Sequence, residues 1–330
     1  MLIMSKTILS LSILSCFVSA SSIAELAPES GLSGAISLNT GYMSQSSNFN
    51  TDVKDPISNL NSEGETNGEV LFMPLGQINY TFGQQRDKQV YVGTAREDIA
   101  VGDFAFEIGY KQELESGMVI DASFLPTVVS GETWSDPYAT SVERETTDET
   151  GNAYRLKLES IAGSDFSLDM AYANIDIDNE SSGSTLNSAE QDRLQRDGSI
   201  VFVKGEYQYM LNQTSGLIPS LSYKVRSADG EAIAYKAYGT DITYFKVLDR
   251  HQFALTAGYE TRSYDDVNPV FNETQSDNAV SLFAAYEYNQ LMGWEDVSFI
   301  SFAGYGTSSS NIDFYNESEY LLSAGVNYKF

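Results

Sequence analysis

The sequence is nearly devoid of cysteine and histidine and short of basic residues. Cys16 is the single cysteine and His251 the single histidine in 330 residues. Cys16 lies in an N-terminal segment with the features of a removable leader, so the processed chain could form no internal disulfide. One histidine and no other cysteine also exclude a soft metal site. Lys and Arg number 19 against 46 Asp and Glu, a net charge of −27. A phosphate backbone demands the opposite balance, which excludes nucleic acid as a partner. No stretch approaches the roughly 18 consecutive apolar residues of a spanning helix.

Against these gaps stand 21 Tyr, 17 Phe and 25 Gly. That aromatic content is foreign to disordered chains and leaves two classes, a large soluble β-protein or a membrane barrel. The length, with no linker-like boundary, favours one closed sheet over two sandwiches.

The chain opens with Lys6, an apolar stretch from Thr7 to Val18, and small residues at Val18-Ser19-Ala20 and Ser22-Ile23-Ala24. This pattern predicts a secretory signal over 1–20, with cleavage alternatively after 24, and a single domain over 25–330. Ile13-Leu-Ser-Cys16 resembles a lipoprotein processing site only faintly.

The C-terminus alternates at period two. Tyr320, Leu322, Ala324, Val326, Tyr328 and Phe330 fall on one face, and Leu321, Ser323, Gly325, Asn327 and Lys329 on the other. A closing strand with a terminal Phe resembles the one by which Gram-negative outer-membrane barrels are recognised for assembly. The same alternation recurs at 32–43, 70–82, 89–96, 101–113, 117–130, 152–162, 165–177, 199–211, 216–227, 232–247, 252–264, 278–289 and 296–308, closing with 318–330. Tight turns follow the even strands, as at Glu115-Ser-Gly117 and Leu248-Asp-Arg-His251. Longer acidic segments follow most odd ones, notably 44–69, 131–151, 178–198 and 265–277. The expected fold is therefore all-β, a transmembrane up-and-down antiparallel barrel of about 14 strands, alternatively 12, with both termini at the short-turn, periplasmic rim. Strands three and ten fit least well. Strand three is short, and strand ten changes phase around Tyr235-Lys-Ala-Tyr-Gly239, which predicts a bulge. Tyr and Phe near strand ends, such as Tyr42, Tyr80 and Tyr328, predict interfacial girdles.

On this reading the inward faces carry Glu107, Lys111, Asp121, Arg155, Lys157, Glu159, Lys224, Arg226, Glu260 and Arg262 as pore-lining candidates, roughly balanced in sign. The acid surplus falls in the outer loops, where it would form a cation-concentrating vestibule or simply keep the loops hydrated and apart. Segment 131–151, with Trp134, Asp136, Glu143, Arg144 and Glu145, is the candidate for a loop folded into the lumen as a constriction. No catalytic, metal or cofactor residues are assigned. His251 reads as a solvated residue of a periplasmic turn, the wrong end for a barrel hydrolase. The acidic clusters Asp176-Ile-Asp178-Asn-Glu180, Asp265-Asp266 and Asn311-Ile-Asp313 with Glu317 and Glu319 lack calcium-loop spacing.

Ser30-Gly-Leu-Ser-Gly-Ala-Ile-Ser-Leu-Asn-Thr-Gly-Tyr42, Gln89-Val-Tyr-Val-Gly-Thr94 with Glu97-Asp98, and Thr133-Trp-Ser-Asp-Pro-Tyr138 carry a resemblance. Together they resemble an OmpL-like family of porin-like outer-membrane proteins catalogued as a domain of unknown function. The resemblance implies a porin-like barrel and supplies no functional residues. The Pro-Glu-Phe-Gly-Gly signature of trimeric general porins is missing. The expected function is passive diffusion of small hydrophilic solutes with a mild cation preference. The alternative is a plugged barrel acting as adhesin, receptor or envelope-stabilising surface through its loops. Expected partners are outer-membrane lipid, lipopolysaccharide and the barrel-assembly machinery; self-association into a homo-oligomer is left open.

Overall fold

A computed structural model describes residues 26–27, 29–94, 105–127 and 130–330. The leader, its cleavage sites and the Glu97-Asp98 motif lie outside the described residues. The strands are β1 Gly31–Ser46, β2 Thr66–Phe82, β3 Lys88–Thr94, β4 Phe106–Glu113, β5 Val119–Pro126, β6 Gly131–Trp134, β7 Thr146–Glu159 and β8 Phe166–Ile177. They continue as β9 Gly198–Tyr207, β10 Tyr209–Asn212, β11 Ser215–Ala228, β12 Tyr235–Leu248, β13 His251–Asn268, β14 Glu273–Asn289, β15 Val297–Ser310 and β16 Glu317–Lys329.

Each strand pairs antiparallel with its sequence neighbour in the wall, and β16 closes on β1 from Ala35↔Lys329 to Ser46↔Ser318. Closure removes the unpaired edge that lipid would not tolerate. β9 and β10 are one wall strand: the register to β11 is the same at Glu206↔Ser220 and at Tyr209↔Leu217. The ladder lapses between them opposite Pro219, which has no N–H to donate. β6 pairs only with β7, beyond the wall. The wall therefore has 14 strands, as the higher of the two expected counts requires.

The two faces differ as the alternation predicts. Leu32, Ile36, Leu38, Val70, Phe72, Ile108, Leu221 and Leu322 are exposed on the outside, whereas Ser37, Asn39, Glu107, Asp121 and Asn327 are buried on the inside. Aromatic residues sit side by side in two outer bands, with Tyr305↔Tyr320 and Tyr223↔Tyr238 toward one rim. The other rim has Tyr288↔Phe299 and the stacked pair Tyr328 and Phe330. An apolar outer face between aromatic bands on a closed wall is what an outer membrane selects. The protein is an outer-membrane β-barrel.

Two local expectations are corrected. β12 keeps one register with both neighbours, so strand ten carries no bulge. Its phase change is an aromatic turned inward: Tyr235 is buried against Tyr264, ring centroids 5.2 Å apart, while Tyr238 faces out. Register shifts occur instead between Met210 and Asn212 and between Ser263 and Val267. The segment 265–277 is not a long loop, because β13 runs to Asn268 and β14 restarts at Glu273.

Candidate functional site: the lumen and its two mouths

The charged side of the lumen is a sequence of paired groups. Tyr91 Oη donates to Asp121 Oδ1 at 2.7 Å, and Lys111 Nζ lies 3.5 Å from Asp121 Oδ2. The Arg155 guanidinium grips Asp169 with Nε and Nη2, the shortest bond being 2.7 Å. Lys204 is 3.7 Å from Glu206, and Ser220 Oγ donates to Asp241 at 3.1 Å. Lys224 on β11 reaches Glu260 on β13 at 3.0 Å, across β12. It can do so because Ala237 and Gly239, which stand in register with Lys224 and Glu260, leave the path clear. Arg262 completes that triad at 2.6 Å from Glu260. Bases and acids alternate around the wall because each buried charge needs a partner.

The other side of the lumen is apolar. Met73 and Leu75 of β2 cluster with Ala254, Phe283, Ala285, Ile300 and Phe302 of β13 to β15. Of the strands between, β1 and β16, most inward groups beside the cluster are small or short, as at Ser37, Asn39, Ser323 and Gly325, while Leu321 of β16 packs against it. At Gly325 the fit leaves no room for more: a Cβ there would run into Asn39 Oδ1 and the Leu38 carbonyl.

At the outer mouth the loops make a core of their own. Tyr138, Leu194, Ala232, Ile312 and Phe314 form one buried cluster, with Phe49, Ile57, Leu60, Leu186, Val270 and Phe271 against it. These residues come from six connections, 47–65, 127–145, 178–197, 229–234, 269–272 and 311–316. Connections 47–65 and 178–197 rise from nearly opposite walls, so a shared core means that the loops cross the mouth. Hydrogen bonds tie them: Asn48 Nδ2 donates to Phe314 O at 2.9 Å, Ser141 N to Ile57 O at 2.8 Å, and the Tyr138 and Tyr315 hydroxyls meet at 2.8 Å. Burial pushes both phenols above their ordinary pKa.

Segment 131–151 is the hub of this cap and does not descend as a separate constriction. Residues 131–134 pair with 146–149, which carries the segment outward. Trp134 is buried and donates from Nε1 to Asn48 O, with the Arg144 guanidinium 4.1 Å above its ring and bonded to the same carbonyl at 2.6 Å. Burial lowers the Arg144 pKa to about 10, so it stays cationic at neutral pH. Asp136 accepts from Gly183 N and Ser184 N at 3.0 and 2.9 Å. Glu143 and Glu145 are exposed. The loops are thus held together, not kept apart by charge. Arg196 binds Glu180, Thr133 Oγ1 and Trp134 O at once, and Arg193 binds Asp266 at 2.7 Å.

At the inner mouth the turns are short and a cavity of about 340 Å³ remains between β1 to β4 and β14 to β16. Ile300, Phe302, Ser33, Gln77, Asn79, Gln89 and Asn327 are among the residues that line it. Lys111, Glu287 and Lys329 stand at its border, and Lys329 lies 3.0 Å from Glu287.

The ten pore-lining candidates all lie on strand faces that point inward, with Glu107, Asp121, Arg155 and Lys224 buried. Arg226 reaches out of the ladder toward the cap, its Nη2 donating to Arg196 O at 2.9 Å. Sequence reasoning missed the apolar belt and the inward tyrosines Tyr91, Tyr235 and Tyr264. A signal for the belt existed: Val70-Leu-Phe-Met-Pro-Leu75 and Phe299-Ile300 break alternation by being apolar in both phases. His251 is not a solvated turn residue. Its Nδ1 lies 2.8 Å from Tyr286 Oη, and its ring is 5.0 Å from that of Tyr288, within the inner aromatic band. Among the described residues no three His, Cys, Asp or Glu side chains converge as metal ligands.

No curated protein sequence matches the chain. Solved structures with a similar course include the outer-membrane channel DcaP of Acinetobacter baumannii, 11% identical, covering 91% of this chain and 96% of that one, TM-score 0.45. An anion-selective porin from Comamonas acidovorans is 9% identical, covering 91% and 98%, TM-score 0.43. OmpT of Vibrio cholerae lacking loop L8 is 8% identical, covering 91% and 100%, TM-score 0.44. A family model matches residues 31–329, from the first strand to the last, and the chain belongs to that family, described as proteins of unknown function, DUF2860.

Proposed function

We propose that this barrel is a porin-like channel for passive diffusion of small hydrophilic solutes, mildly cation-preferring, whose outer mouth is roofed by its own loops at rest. The observation that carries the reading is the inner wall. Its charges are paired along one side of the wall, and a cavity with polar lining residues stays open at the inner mouth beside the apolar cluster, where a fully plugged barrel would be filled by its own side chains. The cation preference would come from exposed acids on the cap, including Asp52, Asp55, Glu63 and Glu65, which concentrate cations at the entrance. No step in this function is covalent. Kinship with OmpL-like porins, contact with lipopolysaccharide, and delivery of β16 to the assembly machinery belong to the same reading.

Planar-bilayer recording of the purified protein tests it. Cation-preferring conductance is expected, rising when the cap is loosened. Silence in both states, or anion preference, would sink it. The second reading, a plugged barrel whose cap is a binding surface, is favoured by the single core that six loops share. Under that reading, loosening the cap abolishes surface binding and opens no conductance.

A further inference from the structure

β1 starts at the inner rim, where Gly31 stands opposite Thr81. A chain arriving there could simply trail away from the barrel. Instead Leu26 is only 4% exposed, and Ala27 N donates to Gln89 Oε1 at 3.1 Å. Gln89 belongs to β3 and is buried on the lumen side, with β2 standing between its strand and β1. The residues just before β1 therefore fold back inside the wall. Gly31 makes the turn: its φ is +114°, and a Cβ at that position would meet nothing within 4 Å. Glycine is needed there for the direction of the backbone, not for space.

The acceptor is held ready. Gln89 Nε2 donates to Asn79 Oδ1 at 3.3 Å, and Thr81 Oγ1 donates to Gln89 Oε1 at 3.2 Å. These two bonds fix the amide with its carbonyl toward Ala27. Neither Leu26 nor Ala27 takes part in a strand ladder, and the wall closes through β16 and β1 without them. Leu26 is also outside the apolar cluster of β2 and β13 to β15. A segment that the wall does not need, buried in the mouth through which solutes would pass, takes up cross-section. Ala27 borders the cavity of about 340 Å³ that stays open at this mouth. Leu26 and Ala27 carry no charge, so what they take from the passage is width.

We propose that this segment is a strap that sets the size limit of the channel from its inner end, with Gln89 as the latch that keeps it in the mouth. The strap deepens the channel reading and rests on it for its effect on solutes; its position in the mouth is tested separately.

The experiment uses the full-length chain, with Cys16 replaced by Ser, in two measurements, each variant being first shown to retain its heat-modifiable barrel. In detergent, a bulky polyethylene-glycol maleimide should label Ala27→Cys roughly tenfold more slowly than Ser30→Cys, which lies on an exposed residue, and adding Gln89→Leu should remove most of that difference. In liposome swelling, deletion of 26–30 should raise the rate for the trisaccharide raffinose roughly tenfold and that for arabinose less than about twofold. Gln89→Leu should act in the same direction by a smaller factor. Leu26→Asp, which expels the strap because a buried charge is costly, carries the measurement should the deletion not assemble. Equal labelling at 27 and 30 overturns the strap. Slow labelling at 27 with the size limit unchanged in every strap and latch variant overturns its role as a filter and leaves the channel. No swelling by any form, a cap-loosened one included, overturns the channel and the filter together, while the labelling still decides whether the segment sits in the mouth.

Discussion

The two mouths of this barrel are cut from one wall and finished in opposite ways. At the inner rim the strands are joined by turns as short as 213–214 and 249–250, which do little beyond reversing the chain. At the outer rim the connections bring Phe49, Tyr138, Leu194, Phe271 and Phe314 into a core that lipid never touches. The inner mouth consequently keeps a cavity, and the outer mouth is bridged. The difference teaches that the cap is a separate cooperative unit, stabilised by water-driven burial and ion pairs, seated on a wall stabilised by its closed ladder. A change in one should leave the other standing.

The largest expected effect comes from the centre of the cap. Phe314 is fully buried against Phe49, Tyr138 and Phe271. Phe314→Ala should cost the cap about 3–5 kcal/mol. Limited proteolysis should then cut within 47–65 and 178–197 while the barrel's own melting temperature stays put. A fall in barrel stability of the same size would show that the two units are one. Next is Arg196→Met, which leaves the buried Glu180 carboxylate without its partner at a cost of about 3 kcal/mol. Hydrogen exchange should speed up at the Ser181-to-Ser135 contact and not in β14 to β16, if the cap opens alone.

A smaller effect is expected in the lumen. Lys224→Met removes one of two cations from Glu260, which keeps Arg262. The cost should be about 1–3 kcal/mol, read as a lower melting temperature of the wall with loop proteolysis unchanged. A protease-sensitive cap in this variant would contradict the separation of the two regions.

How far the sequence revealed all this follows the same division. The wall was legible because lipid outside and polar groups inside impose period two, and the register of Tyr320 to Lys329 came out as the alternation requires. The inward charges were legible for the same reason. The cap was not, because its core is built from isolated residues such as Leu194, Ala232 and Phe314, each in an acidic context with no period to betray it. Trp134 and Asp136 stood out as unusual, but the partner of Trp134, Asn48, is 86 positions away along the chain. The amide cavity was also hidden, since Gln77, Asn79 and Gln89 look like any polar inward residues until closure brings β16 beside β1.

The smallest effect sharpens the comparison at the rim where wall and cap meet. Lys236 and Asp265 lie 3.3 Å apart, with side chains 51% and 46% exposed. The pair Arg193 and Asp266, one residue on, is more shielded, and Arg193 Nη2 also donates to Val267 O. Lys236→Ala should therefore change stability by less than about 1 kcal/mol, because water and salt screen an exposed pair. Arg193→Ala should loosen the cap measurably, since it severs the tie between 178–197 and β13. If both variants open the loops equally in a protease titration at low and high salt, surface charge and not the buried core holds the mouth shut. If only Arg193→Ala does, the cap closes by packing and specific bonds, and its acidic exterior is free to act on solutes alone.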